Sequence, residues 1–149
     1  MTKPGSVSST MQPPASARNF RHRLRVRYVE CDAQGVVFNG HYFTYFDVAM
    51  TEFHRELIGR YSELVESGVD MVVAEARARY HAPAHFDEEI DVAVVPTRVG
   101  ATSLTVALEV TRGQTLLTEG ELRYVFVDLK TRRKGPIPEE VRLALERTI

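Results

Sequence analysis

A carboxylate and the start of a predicted helix lie seven residues apart, at Asp32 and Asn39. Asp32 closes a strand-like run, the turn-like Ala-Gln-Gly follows, and a helix is predicted to begin near Asn39-Gly40. The first N–H groups of a helix have no partner within the helix and carry positive partial charge. Attack on a carbonyl requires this pairing, because a base or nucleophile must act next to N–H groups that stabilise the oxyanion. Asp32 and the backbone N–H of Asn39 are therefore candidates for carbonyl chemistry.

Both residues also fit purely structural roles. Aspartate before glycine most often forms a turn, and the spacing alone favours that interpretation of Asp32. Asn39 is a favoured N-cap residue, and a cap at this position is compatible with its N–H binding an oxyanion. Gly35 would supply the backbone freedom that the turn between the two elements needs.

The longer pattern around these residues favours the catalytic interpretation of Asp32. Y-x-E-C-D-A-x-G-V-V-F-x-x-x-Y, followed by an aromatic amphipathic helix that ends in T-E-F-H-R, resembles the 4-hydroxybenzoyl-CoA thioesterase branch of the hotdog-fold thioesterases. The resemblance implies an acyl-CoA thioesterase that needs no cofactor. Asp32 matches the catalytic aspartate, and Asn39 matches the residue whose backbone N–H stabilises the oxyanion. Asp32 would act as a nucleophile that forms a mixed anhydride or as a base that activates water, and both roles stay open.

The resemblance also implies a basic site for the phosphates of CoA. The family places this site beside the positions that match Gly100–Ser103, which here read Gly-Ala-Thr-Ser, and only Ser103 keeps the match. The alternative is that these cations form a solvated surface, which is the usual meaning of a short basic run. The candidate CoA-binding residues are Arg98, Ser103, Arg132, Arg133 and Lys134.

Aromatic residues around the predicted helix start are candidates for an acyl pocket. Phe38 precedes the helix, and Tyr42 is the first of four aromatic residues that come before Asp47. Asp47 lies on the polar face of the helix and is expected to make a structural hydrogen bond. Aromatic walls favour aromatic, short or medium acyl groups over long flexible chains. The competing interpretation is that all of these rings belong to the core, which would leave a tunnel for long chains. Gly35, Phe38 and Tyr42 are the substrate-binding candidates beside Asp32.

Other residues that could do chemistry rank below Asp32. Glu52 lies in the helix between its apolar and polar stripes, and it is the second catalytic candidate because another thioesterase branch uses a helical glutamate. Cys31 lies between two acidic residues, which oppose formation of a thiolate. His81 and His85 have a proline between them and lack the helical spacing of metal ligands. We predict no metal site.

The composition is that of an ordinary globular protein. The 149 residues fit one domain, with 44% hydrophobic residues, 26% charged residues and a net charge of −1. This charge disfavours nucleic acid or an anionic membrane as a partner. The chain lacks an apolar run of about 20 residues, an apolar secretory segment and a second cysteine. We predict a cytoplasmic protein.

Hydrophobic periodicity predicts an α+β fold. Residues 1–17 are predicted to be a disordered tail, and residues 18–149 a single hotdog thioesterase domain. A strand that alternates at Leu24, Val26 and Tyr28 precedes a long helix over 42–58 and a short helix over 61–66. Further strands are predicted over 71–80, 89–99, 102–111 and 115–129, with a bulge near Gly120, and a last helix over 139–147. The hotdog fold, an antiparallel five-stranded sheet wrapped around one long central helix, is implied by the resemblance.

An open sheet of this size leaves an edge strand exposed. The resemblance implies that subunits pair edge to edge, as a homodimer or homotetramer with each active site at a subunit interface. An acyl carrier protein is an alternative carrier of the acyl group. Two rival functions are a non-catalytic module that binds acyl-CoA or acyl carrier protein, and a hotdog dehydratase. Asp32 favours the enzyme over the module, and the dehydratase would need a histidine-centred motif that the sequence lacks.

Overall fold

A five-stranded antiparallel sheet and one long helix, α1 (His41–Leu57), form the body of the protein. The computed structural model describes residues 20–149, so the predicted tail over 1–17 lies outside the described residues. The spatial order of the strands is β1-β3-β4-β5-β2. The strands are β1 (Arg21–Arg25), β2 (Val69–Tyr80), β3 (Glu89–Val99), β4 (Ser103–Arg112) and β5 (Thr115–Asp128). The predicted α+β class is confirmed.

Shorter helical segments connect and follow these elements. A 3₁₀ turn, Tyr28–Glu30, follows β1; helix α2 (Tyr61–Glu66) lies between α1 and β2; and helix α3 (Glu139–Glu146) follows β5. The predicted boundaries of α2 and β3 are those observed, and the other helices and strands after residue 40 start and end within two residues of their predicted limits. No helix in residues 20–149 has the length and apolar content needed to cross a bilayer.

Helix α1 packs its apolar face against the sheet, as its spacing predicts. Phe46 and Phe53 are fully buried at the centre of this face. They belong to one core cluster with alternate residues of the three central strands. These strand residues are Ile90, Val92 and Val94 of β3, Leu104, Val106, Leu108 and Val110 of β4, and Leu122, Tyr124 and Phe126 of β5. The period-two pattern of each strand thus produces the surface on which the helix rests.

Gly120 marks a close approach of α1 to the sheet. A Cβ at this position would lie 2.3 Å from the Phe46 ring, which is too close for any side chain. The bulge predicted near Gly120 is confirmed three residues earlier, at Leu117, where the register of β5 against β4 shifts, while Gly120 itself pairs in continuous register with Ala78 and Leu108. The glycine makes room for Phe46, and the buried face of β5 changes at the bulge, where Leu117 and Thr118 are both buried.

Strand β1 is shorter than its alternation predicts. Val26 is the last residue of the pattern that points inward, whereas Tyr28 is 78% exposed. The 3₁₀ turn at Tyr28–Glu30 ends the extended backbone, so the period of two no longer applies. The prediction that Tyr28 continues the buried face is therefore wrong.

Strand β2 is an outer strand with uncovered apolar side chains. Among residues 20–149 it pairs only with β5. Val72 and Val73 expose 44% and 52% of their surface, and a register shift lies between Val73 and Glu75. A long exposed edge strand with apolar side chains is a pairing surface for another chain. β2 is therefore the open side of the sheet.

The two ends of the sheet carry different segments. At one, which we call the Asp32 end, β2 finishes at Tyr80 and a bridge between Val36 and His85 attaches the loop that contains Asp32. At the other, the hairpin end, β3 turns into β4 and the segment after β5 folds back on that strand. Strand β3 has eleven residues and runs from one end to the other, so the ends are about 33 Å apart.

Candidate active site

Asp32 lies in a tight turn that is closed by backbone hydrogen bonds. Its N–H donates to the Val36 carbonyl and its carbonyl accepts from the Gly35 N–H, both at 2.9 Å. Its carboxylate Oδ1 accepts from the Gln34 N–H at 2.8 Å. Gly35 has a φ of 80°, the left-handed conformation that glycine adopts without strain. The structural role of Asp32 is confirmed, and it is compatible with chemistry because one carboxylate oxygen orients the side chain and the other stays available.

The segment after this turn is held by backbone hydrogen bonds to the loop between β2 and β3 and to the 3₁₀ turn. The Val37 N–H donates to the Ala84 carbonyl at 2.9 Å, and the Phe38 N–H donates to the Glu30 carbonyl at 3.0 Å. A further bridge joins Cys31 to Val37. The Asp32 carboxylate is exposed, but the backbone on both sides of it is held in place. This combination provides an accessible group in a defined position.

Helix α1 begins at His41, between the predicted start near Asn39-Gly40 and the predicted apolar segment over 42–58. Gly40 is its N-cap and no side chain caps it, so the alternative in which Asn39 is the N-cap is wrong. The N–H groups of His41, Tyr42 and Phe43 donate to the carbonyls three residues earlier. No group in residues 20–149 accepts from the N–H of Asn39 or of Gly40. These two N–H groups are available to bind an anion at the helix start.

A buried carboxylate holds the 3₁₀ turn against α1. Glu30 is 7% exposed and accepts from the Arg27 N–H at 2.8 Å, the Arg27 Nε at 2.9 Å and the Tyr45 hydroxyl at 2.8 Å. Burial alone would raise the pKa of Glu30, but the hydrogen bonds from Arg27 and Tyr45 outweigh it and hold the pKa below its usual value. Burial, followed by this carboxylate, raises the pKa of Tyr45. Glu30 therefore stays ionised, and it connects the segment before Asp32 to the middle of the helix.

Two tyrosines fix the backbone around the start of α1. Tyr42 is 3% exposed, and its hydroxyl accepts from the Ala84 N–H at 3.3 Å. Tyr42 was a substrate-binding candidate, and the structure places it in the core instead of on an open pocket wall. Tyr80 packs its ring against Tyr42 with centroids 5.6 Å apart, and its hydroxyl donates to the Asn39 carbonyl at 3.0 Å. No local pattern predicts this contact, because 41 residues separate its partners.

Exposed aromatic rings provide the apolar surface next to Asp32. Tyr28 and Phe86 form an edge-to-face pair with ring centroids 5.7 Å apart. Together with Val29 and Cys31 they line a groove of about 580 Å³ that also contains Asp32. Phe38, a substrate-binding candidate, and Phe43, the second of the four helix aromatics, are exposed near the helix start, whereas the last two of the four, Tyr45 and Phe46, are buried. The sequence indicated aromatic rings at the site but selected mainly those of the core.

The second catalytic candidate, Glu52, lies far from Asp32. Its carboxylate accepts from the Arg55 guanidinium at 2.5 Å, which holds the pKa of Glu52 below its usual value. It follows His41 by eleven residues, which places it about 16 Å further along the helix. The structure therefore does not bring Glu52 into the Asp32 site of one chain.

The CoA-binding candidates lie at the hairpin end. Arg98 pairs with Thr105 in the β3–β4 hairpin, and Ser103 pairs with Val125 of β5. The segment with the other three candidates, 132–134, returns along β5, where Lys134 bridges to Val127. The structure thus brings the predicted basic residues to one end of the sheet and Asp32 to the opposite end.

The remaining candidates have local partners. The Cys31 thiol donates to the Arg27 carbonyl at 3.7 Å. His81 lies 3.2 Å from Glu119, and His85 lies 3.7 Å from Glu88. Within residues 20–149 there is no cluster of three potential ligands that could hold a metal ion.

The sequence pattern of a known family extends over most of the chain. The family model of the thioesterase-like superfamily matches residues 26–145, which include the Asp32 turn, α1 and all of β2 to β5. The chain belongs to the thioesterase-like superfamily. An acyl-CoA thioester hydrolase of Escherichia coli, YbgC, is 30% identical to it over 123 residues, which cover 82% of this chain and 92% of the E. coli protein.

Solved structures with the same architecture support this membership. A Thermus thermophilus protein superposes with a TM-score of 0.83 at 29% identity, over 88% of this chain and 100% of the other. A 1,4-dihydroxy-2-naphthoyl-CoA thioesterase from Synechocystis superposes with a TM-score of 0.78 over 85% and 94% of the two chains. At 20% identity the latter shows the shared fold alone. The predicted hotdog thioesterase fold is confirmed.

Proposed function

We propose that this member of the superfamily hydrolyses an acyl-CoA thioester to a free acid and CoA at Asp32. The observation that carries the proposal is the exposed Asp32 carboxylate, held by its turn, in the loop that leads to the unpartnered N–H groups of Asn39 and Gly40. A negative charge forms on the thioester oxygen during attack, and helix N–H groups stabilise it. The similarity to an E. coli acyl-CoA thioester hydrolase supports CoA as the carrier.

Asp32 can drive the reaction in two ways. As a nucleophile, its carboxylate oxygen bonds to the carbonyl carbon, the C–S bond breaks, and CoA leaves as a thiolate that takes up a proton from solvent. Water then hydrolyses the mixed anhydride and restores the carboxylate. As a general base, Asp32 takes a proton from water while the water oxygen attacks the same carbon, and that proton passes to the departing thiolate. In both routes the oxyanion binds the N–H groups at the start of α1.

The proposed active form is a homodimer, alone or within a homotetramer. An antiparallel pairing of β2 with β2 of a second copy would reverse the strand direction across the two-fold axis. The Asp32 end of one chain would then lie beside the hairpin end of the other. An acyl-CoA could place its thioester at Asp32 and its phosphates at the basic residues of the second copy. The uncovered valines of β2 and the separation of about 33 Å between the ends of β3 support this arrangement.

The preferred acyl group in this proposal is aromatic, or short to medium in length. Tyr28 and Phe86 offer edge-to-face apolar surface in the groove that contains Asp32. Flat rings stack on such surfaces with little loss of conformational freedom, whereas a long chain must be ordered along its length. The groove is open, so an acyl group attached to a carrier protein could approach by the same route. A cytoplasmic location, based on composition, completes the proposal.

Thiol release from a panel of acyl thioesters tests the function. The panel contains benzoyl-CoA, short-chain and palmitoyl-CoA substrates, and one acyl group carried by acyl carrier protein. We expect turnover by the wild type and a loss of about 10²- to 10⁴-fold in Asp32→Asn, because the amide is neither a base nor a nucleophile. Asp91→Asn is the matched control. It makes the same change from carboxylate to amide, but in an ion pair with Arg23 of β1 that takes no part in the proposed chemistry.

The outcomes separate the three functions. Binding without turnover by the wild type would favour the non-catalytic module, and reversible hydration without thiol release would indicate a dehydratase. Normal hydrolysis by a folded Asp32→Asn protein would remove Asp32 from the mechanism. Near-ultraviolet circular dichroism and thermal unfolding establish that each variant is folded.

A further inference from the structure

One hydrogen bond joins the end of the edge strand β2 to the start of α1. The Tyr80 hydroxyl donates to the Asn39 carbonyl oxygen at 3.0 Å. The same oxygen accepts from the Tyr42 N–H at 3.4 Å, which is near the limit for such a bond. Tyr80 therefore provides the shorter of the two bonds that orient this carbonyl.

Orientation of the Asn39 carbonyl determines the direction of the next N–H. The peptide bond between Asn39 and Gly40 is planar and trans, so its C=O and N–H point in opposite directions. The carbonyl points into the first turn of α1, where the Tyr42 N–H reaches it. The Gly40 N–H consequently points out of the helix start, and no group in residues 20–149 accepts from it.

We propose that Tyr80 is a positioning residue that holds the Asn39–Gly40 peptide so that the Gly40 N–H acts with the Asn39 N–H as an oxyanion donor. This inference rests on the proposed thioesterase function and names a second donor for the same site. The Tyr80 side chain itself does not touch the reacting atoms. Its hydroxyl acts through the peptide, and it does so from the strand that forms the open edge of the sheet.

The local packing allows the hydroxyl to be removed without loss of the ring. The Tyr80 ring packs against Tyr42 at 5.6 Å between centroids, and phenylalanine would retain that contact. A Cβ added at Gly40 would lie 2.9 Å from the Phe38 ring, so the site favours a residue without a side chain here. Tyr80→Phe is therefore a sharper test than any substitution of Gly40.

We expect Tyr80→Phe to lower kcat roughly 10-fold and to leave KM, the melting temperature and the pH profile unchanged. The loss is smaller than the roughly 10²- to 10³-fold that follows removal of an oxyanion donor, because the N–H remains and only its orientation is released. The matched control is Tyr61→Phe, which removes a hydroxyl that has no hydrogen bond within residues 20–149. The control should retain wild-type kcat and KM.

A vibrational measurement distinguishes positioning from general destabilisation. Benzoyl-CoA with an isotope-labelled carbonyl is bound to Asp32→Asn and to the Asp32→Asn/Tyr80→Phe double variant, and the carbonyl stretch is recorded by infrared difference spectroscopy. Two aligned donors should lower the frequency in the first complex, and the double variant should return it part of the way to the free value. An unchanged frequency together with a wild-type kcat in Tyr80→Phe would overturn the proposal.

The other outcomes are equally decisive. A change confined to KM would mean that Tyr80 contacts the substrate, and this also overturns the positioning role. If the wild type hydrolyses thioesters and Asp32→Asn does not, a normal Tyr80→Phe enzyme overturns this inference alone. If the wild type releases no thiol from any thioester, the proposed function and this inference both fall.

Discussion

The two ends of the sheet differ in the chemical groups that they present. At the Asp32 end, short backbone bonds and the buried carboxylate of Glu30 fix a loop that presents one acidic group and two unpartnered N–H groups. At the hairpin end, cations extend from a surface segment in which Arg132 has a φ of 65°. The first end suits carbonyl chemistry and the second suits phosphate binding. Neither end alone provides a complete site for an acyl-CoA, which carries a thioester at one terminus and phosphates toward the other.

The exposed edge β2 explains how two incomplete sites could become complete ones. It runs the full distance between the two ends, and a two-fold axis at its centre would exchange them. The apolar groups that it leaves uncovered are those that a second copy would bury. In the proposed dimer, one chain would provide the chemistry of each site and the second chain would provide the phosphate-binding residues.

Disruption of the edge should have the largest effect on this arrangement. Val72→Lys places a charge in the first half of β2, where a second copy would have to bury it without a partner. We expect the dissociation constant of the dimer to rise about 10²- to 10³-fold, with a parallel loss of turnover at low protein concentration. Analytical ultracentrifugation and thiol release across a dilution series measure both. A fully active monomer of about 17 kDa, for wild type or variant, would contradict the shared site.

Substitution of the basic residues at the hairpin end should weaken substrate binding without slowing the chemical step. Arg132→Ala/Arg133→Ala should raise KM for acyl-CoA about 10-fold and leave kcat nearly unchanged, because charge-assisted bonds to phosphate are lost while Asp32 is intact. The KM of the wild type should rise with salt more steeply than that of the variant. Arg23→Ala, which breaks an exposed ion pair with Asp91, is the control. An unaltered KM in the double variant would mean that these cations are only a solvated surface.

Substitutions in the groove beside Asp32 should alter the preference among acyl groups, and this effect should be smaller than the two above. Phe86→Ala removes half of the aromatic pair with Tyr28, which should lower kcat/KM for benzoyl-CoA about 2- to 10-fold and leave short-chain substrates nearly unaffected. The ratio of the two kcat/KM values is the measurement. A wild-type enzyme with a clear preference for palmitoyl-CoA would refute the aromatic groove without affecting the role of Asp32.

The N-terminal segment should have the smallest effect. Its composition of Ser, Pro, Gly and Thr offers too little apolar surface to offset the entropy of ordering it. A chain that begins at Asn19 should therefore have the melting temperature and turnover of the full protein. A large drop in either quantity would show that the segment docks on the domain or on a second copy.

Most of the fold could be predicted because each helix and strand has a hydrophobic period within its own residues. Helix α1 and strands β3 to β5 have clear periods, and their limits were predicted to within two residues. The features that the sequence did not predict depend either on packing between distant residues or on a local change of backbone conformation. The bulge predicted near Gly120 lies at Leu117, and only the packed structure shows that Phe46 occupies the space of a side chain at Gly120 itself. Tyr28 looked buried because alternation cannot register a 3₁₀ turn.

The residues of the candidate site that lie within one sequence motif could be predicted, and those that come from other segments could not. Asp32 and Asn39 were selected from a contiguous pattern, and the structure places Asp32 in a fixed turn and Asn39 at the helix start. Tyr80 is the last residue of β2 and Phe86 lies in the loop after it. Both are far from Asp32 in the sequence, so no local spacing connects them to that residue. Three of the acyl-wall candidates, Tyr42, Tyr45 and Phe46, are core residues instead, because aromatic residues of the core and of a pocket have the same sequence pattern at the start of an amphipathic helix.

A mixed-dimer experiment tests the central claim most directly. Asp32→Asn chains keep the hairpin end, and Arg132→Ala/Arg133→Ala chains keep the Asp32 end. If each site combines the two ends from different chains, one site of every mixed dimer is fully wild type. After subunit exchange of equal amounts, with acyl-CoA well below the wild-type KM, we expect recovery to about a quarter of wild-type activity, since half of the dimers are mixed and each has one intact site. Activity that never exceeds the average of the two parent proteins, although exchange is verified by mass spectrometry, would contradict the shared site.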